Sequence, residues 1–314
     1  MSHYIRLMRP HQWIKNLVVL AGPAFGLEFA DFRVVVVLAA FCLMSSASYA
    51  INDIFDREAD RTHPEKRERP IASGAVPVGA AWLFAGLLAV AAVCMTYTLL
   101  QPAVTLLVAG YFVLILAYSS SLKQRPILDV IIIAVGFVMR AVAGAQAVDA
   151  FVSPWLIACT FTLCMFLGFG KRRCELATLR SDADRVKHRA TLLRYTPELL
   201  THLISVSAGI AIVTFLLYTM DANPNIPHPP FHKEYLLYTL PLVAYGFFRY
   251  AMLIETGRFT GPMQIVLKDK ALLLTGFLWA ASAAGIILTT RDQHAVAATS
   301  ASTAVAGTGQ FAGQ

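Results

Sequence analysis

Charge is scarce in this 314-residue chain: 14% of its residues are Asp, Glu, Lys or Arg, while 57% are hydrophobic. A soluble domain carries about 25% charged residues, so that class is excluded. The mean hydropathy of +0.60 points instead to a polytopic membrane protein. Cysteine is scarce as well. Cys42, Cys94, Cys159, Cys164 and Cys174 include no close pair at metal-site spacing, and they read as unpaired small apolar residues. No cleavable signal is evident, because the first apolar run lacks a small-residue cleavage site and is interrupted early by Gly22 and Pro23. No histidine stands out as a catalytic base. His63, followed by a proline, reads as a loop-positioning residue.

Long apolar runs are what the chain does have. Nine reach the length of about 20 residues that a crossing helix needs, near 13–30, 34–52, 77–99, 102–120, 127–148, 152–170, 199–220, 235–255 and 270–289. The expected fold is all-α, a polytopic bundle of about nine transmembrane helices over residues 1–290, packed within the lipid bilayer. The segment 291–314 is Ala, Ser, Thr, Gly and Gln with almost no charge, and it is expected to be a disordered, dispensable tail outside the cell. Lys and Arg flanking the spans are kept in the cytoplasm. With the N-terminus inside, the inner connectors hold 21 of the 26 basic residues. The net charge of +7 then describes loops beside anionic lipid and not a nucleic-acid partner. A homo-oligomer is compatible with the sequence and not specified by it.

The inner connectors carry clusters of charge, and the outer ones are expected to carry none, so the active site is expected to face the cytoplasm. The densest cluster runs from Asn52 through Asp53, Asp56 and Asp60 to the basic stretch Lys66, Arg67 and Arg69. At about 100° per helical residue the four oxygen-bearing side chains fall within roughly a 100° arc. Carboxylates so close repel unless a cation sits among them, and hard oxygen ligands next to a basic run suit Mg2+ bridged to a phosphate. Tyr49, one turn earlier, shares that face and has a phenol to donate. Lys15, beside Trp13 and Asn16, reads either as a snorkelling lysine or as a phosphate ligand. Lys123 follows a serine-rich turn that suits an anion pocket. Arg140 lies midway along a span, where an arginine is costly unless it faces a polar interior. It is expected to look into the same cavity as the aspartates, with an interhelical pair as the alternative. Lys171 and Arg172 open a basic connector; Lys171 and Glu175, four apart, also suit a local ion pair.

These residues resemble a family. The pattern Asn52-Asp53-x-x-Asp56-x-x-x-Asp60 at the end of the second span looks like the first motif of the UbiA superfamily of intramembrane prenyltransferases. Arg9-Pro10-x-Gln12-Trp13-x-Lys15-Asn16, His63-Pro64-x-Lys66-Arg67-x-Arg69-Pro70, Arg140-Ala141-x-Ala143-Gly144 and Lys171-Arg172-x-x-Glu175 are similar to its decaprenyl-phosphate phosphoribosyltransferase branch. The resemblance covers nearly everything up to residue 290. Ordinary members carry a second aspartate motif after the sixth span; here Lys171, Arg172 and Arg173 stand in its place, which removes a metal cage and adds direct phosphate binders.

The resemblance implies a bacterial plasma-membrane enzyme that moves the 5-phosphoribosyl group from phosphoribosyl pyrophosphate to a polyprenyl phosphate, for arabinan-type cell-envelope synthesis. Asn52 and Asp56, helped by Asp53 and Asp60, would hold Mg2+ against the diphosphate. Lys15, Tyr49, Lys66, Lys123 and Arg140 would bind phosphates, with Arg67, Arg69, Lys171 and Arg172 beside them. Two other readings remain at this stage. One is a conventional UbiA enzyme moving a prenyl group from a prenyl diphosphate to an aromatic or haem-type acceptor. The other is a transporter, against which the ionisable residues gather at one membrane face, not at the midplane. A CDP-alcohol phosphotransferase is excluded by the missing Asp-Gly-x-x-Ala-Arg start.

Overall fold

In a bilayer every backbone N–H and C=O must be satisfied within the protein, which leaves helices as the natural answer to such apolar runs. The computed structural model describes residues 2–26, 31–63, 66–178, 192, 194–221, 231–259 and 261–308, and among these no strand occurs. A short helix α1 (Ser2–Met8) leads into a 3₁₀ segment (Pro10–Leu20) and α2 (Ala21–Gly26). Helix α3 (Phe32–Phe55) passes almost directly into α4 (Arg57–Thr62). Then come α5 (Val78–Leu99), α6 (Pro102–Ser120), α7 (Leu128–Ala147), α8 (Pro154–Thr178) and α9 (Pro197–Met220). A 3₁₀ stretch (Lys233–Thr239) opens α10 (Leu240–Glu255), and α11 (Pro262–Lys268) precedes α12 (Lys270–Thr308).

Among the described residues eight segments are long and apolar enough to cross a membrane: α3, α5, α6, α7, α8, α9, Lys233–Glu255 and Lys270–Thr290. Each matches one of the last eight runs read from the sequence. The first run, 13–30, is built differently, as the 3₁₀ segment followed by α2, each short. Pro10 starts the segment and Pro23, with no N–H to donate, sits in the first turn of α2. Helix α12 carries helical backbone past residue 290 on to Thr308. Alanine, the best helix former, is frequent in that stretch, and no glycine or proline interrupts it before Gly307.

Among the described residues a small apolar core around Phe215, Phe231 and Leu236 and two large ones hold the bundle. In one, Phe41 and Met44 of α3 pack with Tyr111 of α6 and with Ala81, Ala85, Ala89 and Ala92, a stripe of small residues along α5 that lets α3 and α5 lie close. In the other, Phe166 and Phe169 of α8 meet Leu200 and Ile204 of α9 and Tyr250 and Ile254 of α10. Helix α7 bridges them. The 3₁₀ segment lies against α7 so closely that a Cβ on Gly144 would stand 1.8 Å from the Val19 carbonyl oxygen; one on Gly22 would stand 2.5 Å from the Ala145 Cβ.

At a rise of about 1.5 Å per residue, the two ends of α3 lie about 35 Å apart. Its last turn brings the acidic motif to the same end of the bundle as the starts of α5 and α7 and the end of α8. The opposite end, where no cluster of charge is expected from the sequence, carries one. Arg33 Nη1 donates to Asp149 at 2.7 Å while Arg33 Nε donates to Asp31 at 2.8 Å, fastening the start of α3 to the end of α7.

Gly144→Ala is expected to lower stability by about 1–3 kcal/mol, the usual range for overpacking. Gly86→Ala, where an added Cβ meets nothing within 4 Å, is expected to leave stability unchanged or slightly raised. Thermal unfolding of both variants in detergent checks the pair.

Candidate active site

The acidic motif is reached through nearly continuous helix. The Asp56 amide donates to the Asn52 carbonyl at 2.9 Å and the Asp60 amide to the Asp56 carbonyl at 2.8 Å, which carries the helical path from α3 into α4. The four side chains nonetheless do not converge on one point. Rotation by about 100° per residue sets positions 52 and 56 roughly 40° apart, and positions 53 and 60 roughly 20° apart on a second stripe. The two stripes find different partners.

On the first stripe, Asn52 Nδ2 donates to Asp56 Oδ2 at 2.9 Å. The ammonium of Lys123, from the turn after α6, donates to Asn52 Oδ1 at 3.3 Å and makes a short ion pair with Asp56 Oδ1. Asp56 keeps 31% of its side-chain surface exposed. Two oxygens thus converge on one cationic atom at a surface open to solvent. On the second stripe, Asp53 and Asp60 are 2% and 4% exposed. Arg69 Nη1 bridges them, donating to Asp53 at 3.1 Å and Asp60 at 2.6 Å, while Arg9 Nη2 donates to Asp53 at 2.5 Å. Arg9 also lies over the ring of Tyr49, 5.3 Å from its centroid. The four-oxygen cage expected from the sequence is therefore split, and among the described residues no group of three or more His, Cys, Asp or Glu is arranged to hold a metal ion. What the arrangement offers a cation is the pair Asn52 and Asp56. That donor set fits Mg2+, which is commonly bound through one or two carboxylates plus substrate phosphate oxygens and water.

Lys66 stands half-buried beside these stripes. Burial and the charge of Arg69 pull its pKa below the ordinary 10.5, against the opposing pull of Asp60, Asp56 and Glu175. Its amide donates to His63 Nδ1 at 3.4 Å, so His63 helps shape this loop as expected. Arg67 is exposed. Lys15 is exposed too, and feels the positive charge of Lys171, Arg140 and Arg9.

Three residues expected at the site have other partners. Arg140, 6% exposed, does not reach the aspartates: it donates to Asn16 Oδ1 at 2.9 Å, the Gly136 carbonyl at 2.9 Å and Tyr111 Oη at 2.7 Å. Its guanidinium also lies 4.4 Å from the Tyr111 ring centroid. It joins the first segment to α6 and α7, the interhelical alternative. Arg172 is 1% exposed and is bound by Glu175, with Asp129 Oδ2 2.9 Å from its Nε. Lys171 makes the local pair with Glu175, at 3.7 Å. Trp13, expected as an interface anchor, donates to Ser46 Oγ at 3.0 Å, and Asn16 Nδ2 donates to Ser45 Oγ at 3.2 Å, fastening the first segment to α3.

Arg9 and Asp129 are the residues the sequence reading left out of the site. A signal for each was present. Two carboxylates on one buried stripe need a second countercharge besides Arg69, and Arg9 stood in a motif already singled out. An aspartate at the start of an apolar span needs a buried cation, and Arg172 at the end of the next span was available.

Comparison with known proteins gives the family. The sequence profile of the UbiA prenyltransferase family matches residues 17–265. A decaprenyl-phosphate phosphoribosyltransferase of Mycolicibacterium smegmatis is 36% identical over 289 residues, covering 88% of this chain and 90% of that protein. One of Corynebacterium glutamicum is 31% identical over 284 residues, covering 88% and 83%. A UbiA homologue from Archaeoglobus fulgidus, solved with GPP and Mg2+ bound, superposes with a TM-score of 0.69 at 20% identity, covering 91% of this chain and 99% of that one. An all-helical membrane bundle, an acidic motif ending its first long helix and a family match over most of its length lead to one conclusion: the chain is a transferase enzyme that belongs to the UbiA prenyltransferase family.

Proposed function

We propose that this protein transfers the 5-phosphoribosyl group of phosphoribosyl pyrophosphate to a polyprenyl phosphate of the decaprenyl type, giving phosphoribosyl-phosphoryl-polyprenol and diphosphate. The observation that carries the reading is the near full-length likeness, at 31–36% identity, to two proteins named decaprenyl-phosphate phosphoribosyltransferase. The geometry supports it. Where ordinary family members have a second carboxylate motif, this chain places Arg172 in an ion-pair network with Asp129 and Glu175. One open carboxylate, Asp56, thus faces one donor diphosphate.

In this reading Asn52 and Asp56 would hold one Mg2+, and such an ion would supply charge neutralisation for the diphosphate group. Lys123, within reach of both residues, binds the same diphosphate directly and stabilises it as it leaves. Lys66 binds a further phosphate oxygen, and Lys15 and Arg67 draw anions toward the site. Asp53 and Asp60 hold Arg69 and Arg9 at the edge of the site. The reaction balances without a protein base. A polyprenyl phosphate oxygen forms the bond to the ribose anomeric carbon while the bond to the diphosphate breaks, and the leaving diphosphate takes the electron pair. The acceptor's second pKa is about 6, so it is largely dianionic near neutral pH.

The distribution of basic residues supports a cytoplasmic N-terminus and a cytoplasm-facing site in a bacterial plasma membrane. The product suits arabinan-type glycan synthesis in the cell envelope. The segment after residue 290 takes no part in the chemistry.

Purified protein given labelled phosphoribosyl pyrophosphate, a polyprenyl phosphate and Mg2+ is expected to yield organic-soluble label that EDTA abolishes. Transfer from a prenyl diphosphate to an aromatic acceptor, with no labelled lipid, would replace this reading by the conventional one. Asp56→Ala is expected to remove turnover and leave the fold intact. Asp53→Ala should instead cost about 2–4 kcal/mol of stability, less than the full penalty for breaking a buried pair because both arginines reach solvent. Melting curves and turnover measured side by side separate the two aspartates. Since Lys66 loses its proton below the ordinary lysine value, donor KM is expected to rise on the alkaline side. Lys66→Arg keeps its charge and should move that rise to higher pH; an unchanged KM–pH profile would remove Lys66 from the site.

A further inference from the structure

The turn that presents Lys123 to Asn52 and Asp56 ends in a strained backbone. Ile127 has φ 66° and ψ −51°, a region that β-branched residues rarely enter. The Leu128 amide donates to the Pro126 carbonyl at 2.7 Å, which makes Pro126–Ile127–Leu128 a γ-turn of the rare, strained hand. Such a turn persists only where its surroundings hold it. Here the holding group is Tyr195 Oη, which accepts from the Ile127 amide at 2.5 Å and donates to Asp129 Oδ1 at 2.9 Å. The other oxygen of Asp129 lies 2.9 Å from Arg172 Nε. Asp129 is 0% exposed and Tyr195 3% exposed. Arg172 belongs to the last turns of α8 and Tyr195 stands two residues before α9, so these two helices' ends meet on this one carboxylate.

We propose that Asp129 is a positioning residue. Through Tyr195 it fixes the γ-turn at Ile127, and through that turn it fixes where the Lys123 ammonium sits relative to Asn52 and Asp56. Arg172, with its Nε 2.9 Å from Asp129 Oδ2, supplies the countercharge that aims this carboxylate. The inference rests on the reading of Lys123 as a diphosphate ligand given above. A plain structural staple would explain the buried ion pair. It would not explain a tyrosine hydroxyl spent on the one strained amide four residues from Lys123.

The test is a double-mutant cycle on the purified full-length protein, with Mn2+ and inorganic pyrophosphate as the probe and binding followed by electron paramagnetic resonance of the Mn2+. Tyr195→Phe removes one hydroxyl and leaves the ring in place, so it keeps the test usable should Asp129→Asn fold poorly. Losing a hydrogen bond worth about 1 kcal/mol, Tyr195→Phe is expected to weaken pyrophosphate binding about fivefold. In a Lys123→Met background the same change should cost nothing further, because the group being positioned is gone. Wild-type affinity in Tyr195→Phe, losses that simply multiply in the double variant, or a Lys123→Met variant that binds like wild type would each overturn the proposal. The transfer assay separates this from the functional reading. A coupled cycle in a protein that makes no labelled lipid would reject only the donor and acceptor assignment, while labelled lipid with an uncoupled cycle would reject only the role of Asp129.

Discussion

Ion pairing at the end of an apolar helix is the constraint on which the site depends. Helices α3 and α4 deliver two nearly buried carboxylates, Asp53 and Asp60, into a region where an unpaired charge costs several kcal/mol. Arg69 bridges both, and Arg9 completes the neutralisation of Asp53. That arrangement ties the loop after α4 and the start of the chain to the same turn of α3. The neighbouring stripe, Asn52 and Asp56, meets Lys123 instead, and Asp56 stays partly exposed.

Much of the fold could be read from the apolar runs, because a bilayer admits few alternatives to a continuous helix. The first segment has the apolar content of one long crossing helix. Hydropathy does not register that it changes from a 3₁₀ segment to the short α2 at Leu20–Ala21, or that Gly22 and Gly144 let it press against α7. The family motifs that include Trp13, Asn16, Arg140 and Gly144 proved to be largely one packing device, joining the first segment to α3, α6 and α7.

The residues of the site were legible as a group and less so as individuals. Helical rotation put four polar side chains on one broad face, yet an arc of that width holds two stripes, and only countercharges decide which oxygens remain free. Those countercharges come from distant parts of the chain. Arg9 is 44 residues from Asp53 and Lys123 is 67 from Asp56, separations that no local pattern encodes. Arg172 shows the opposite difficulty. Its basic run reads as a phosphate binder, and its burial against Asp129 emerges only when α7 and α8 pack.

Arg140 gives the molecule one further property. Its hydrogen bonds end on an amide oxygen, a carbonyl and a phenol, and aromatic faces cover it. All these groups are neutral. They satisfy its donors without cancelling its charge, so a full positive charge remains fixed inside the bundle. Exposed cations such as Lys15 and Arg67 lose most of their reach beyond about 8 Å at physiological ionic strength, whereas a buried charge is screened far less. Salt therefore screens the charges at the rim of this protein and leaves the field within its interior almost untouched.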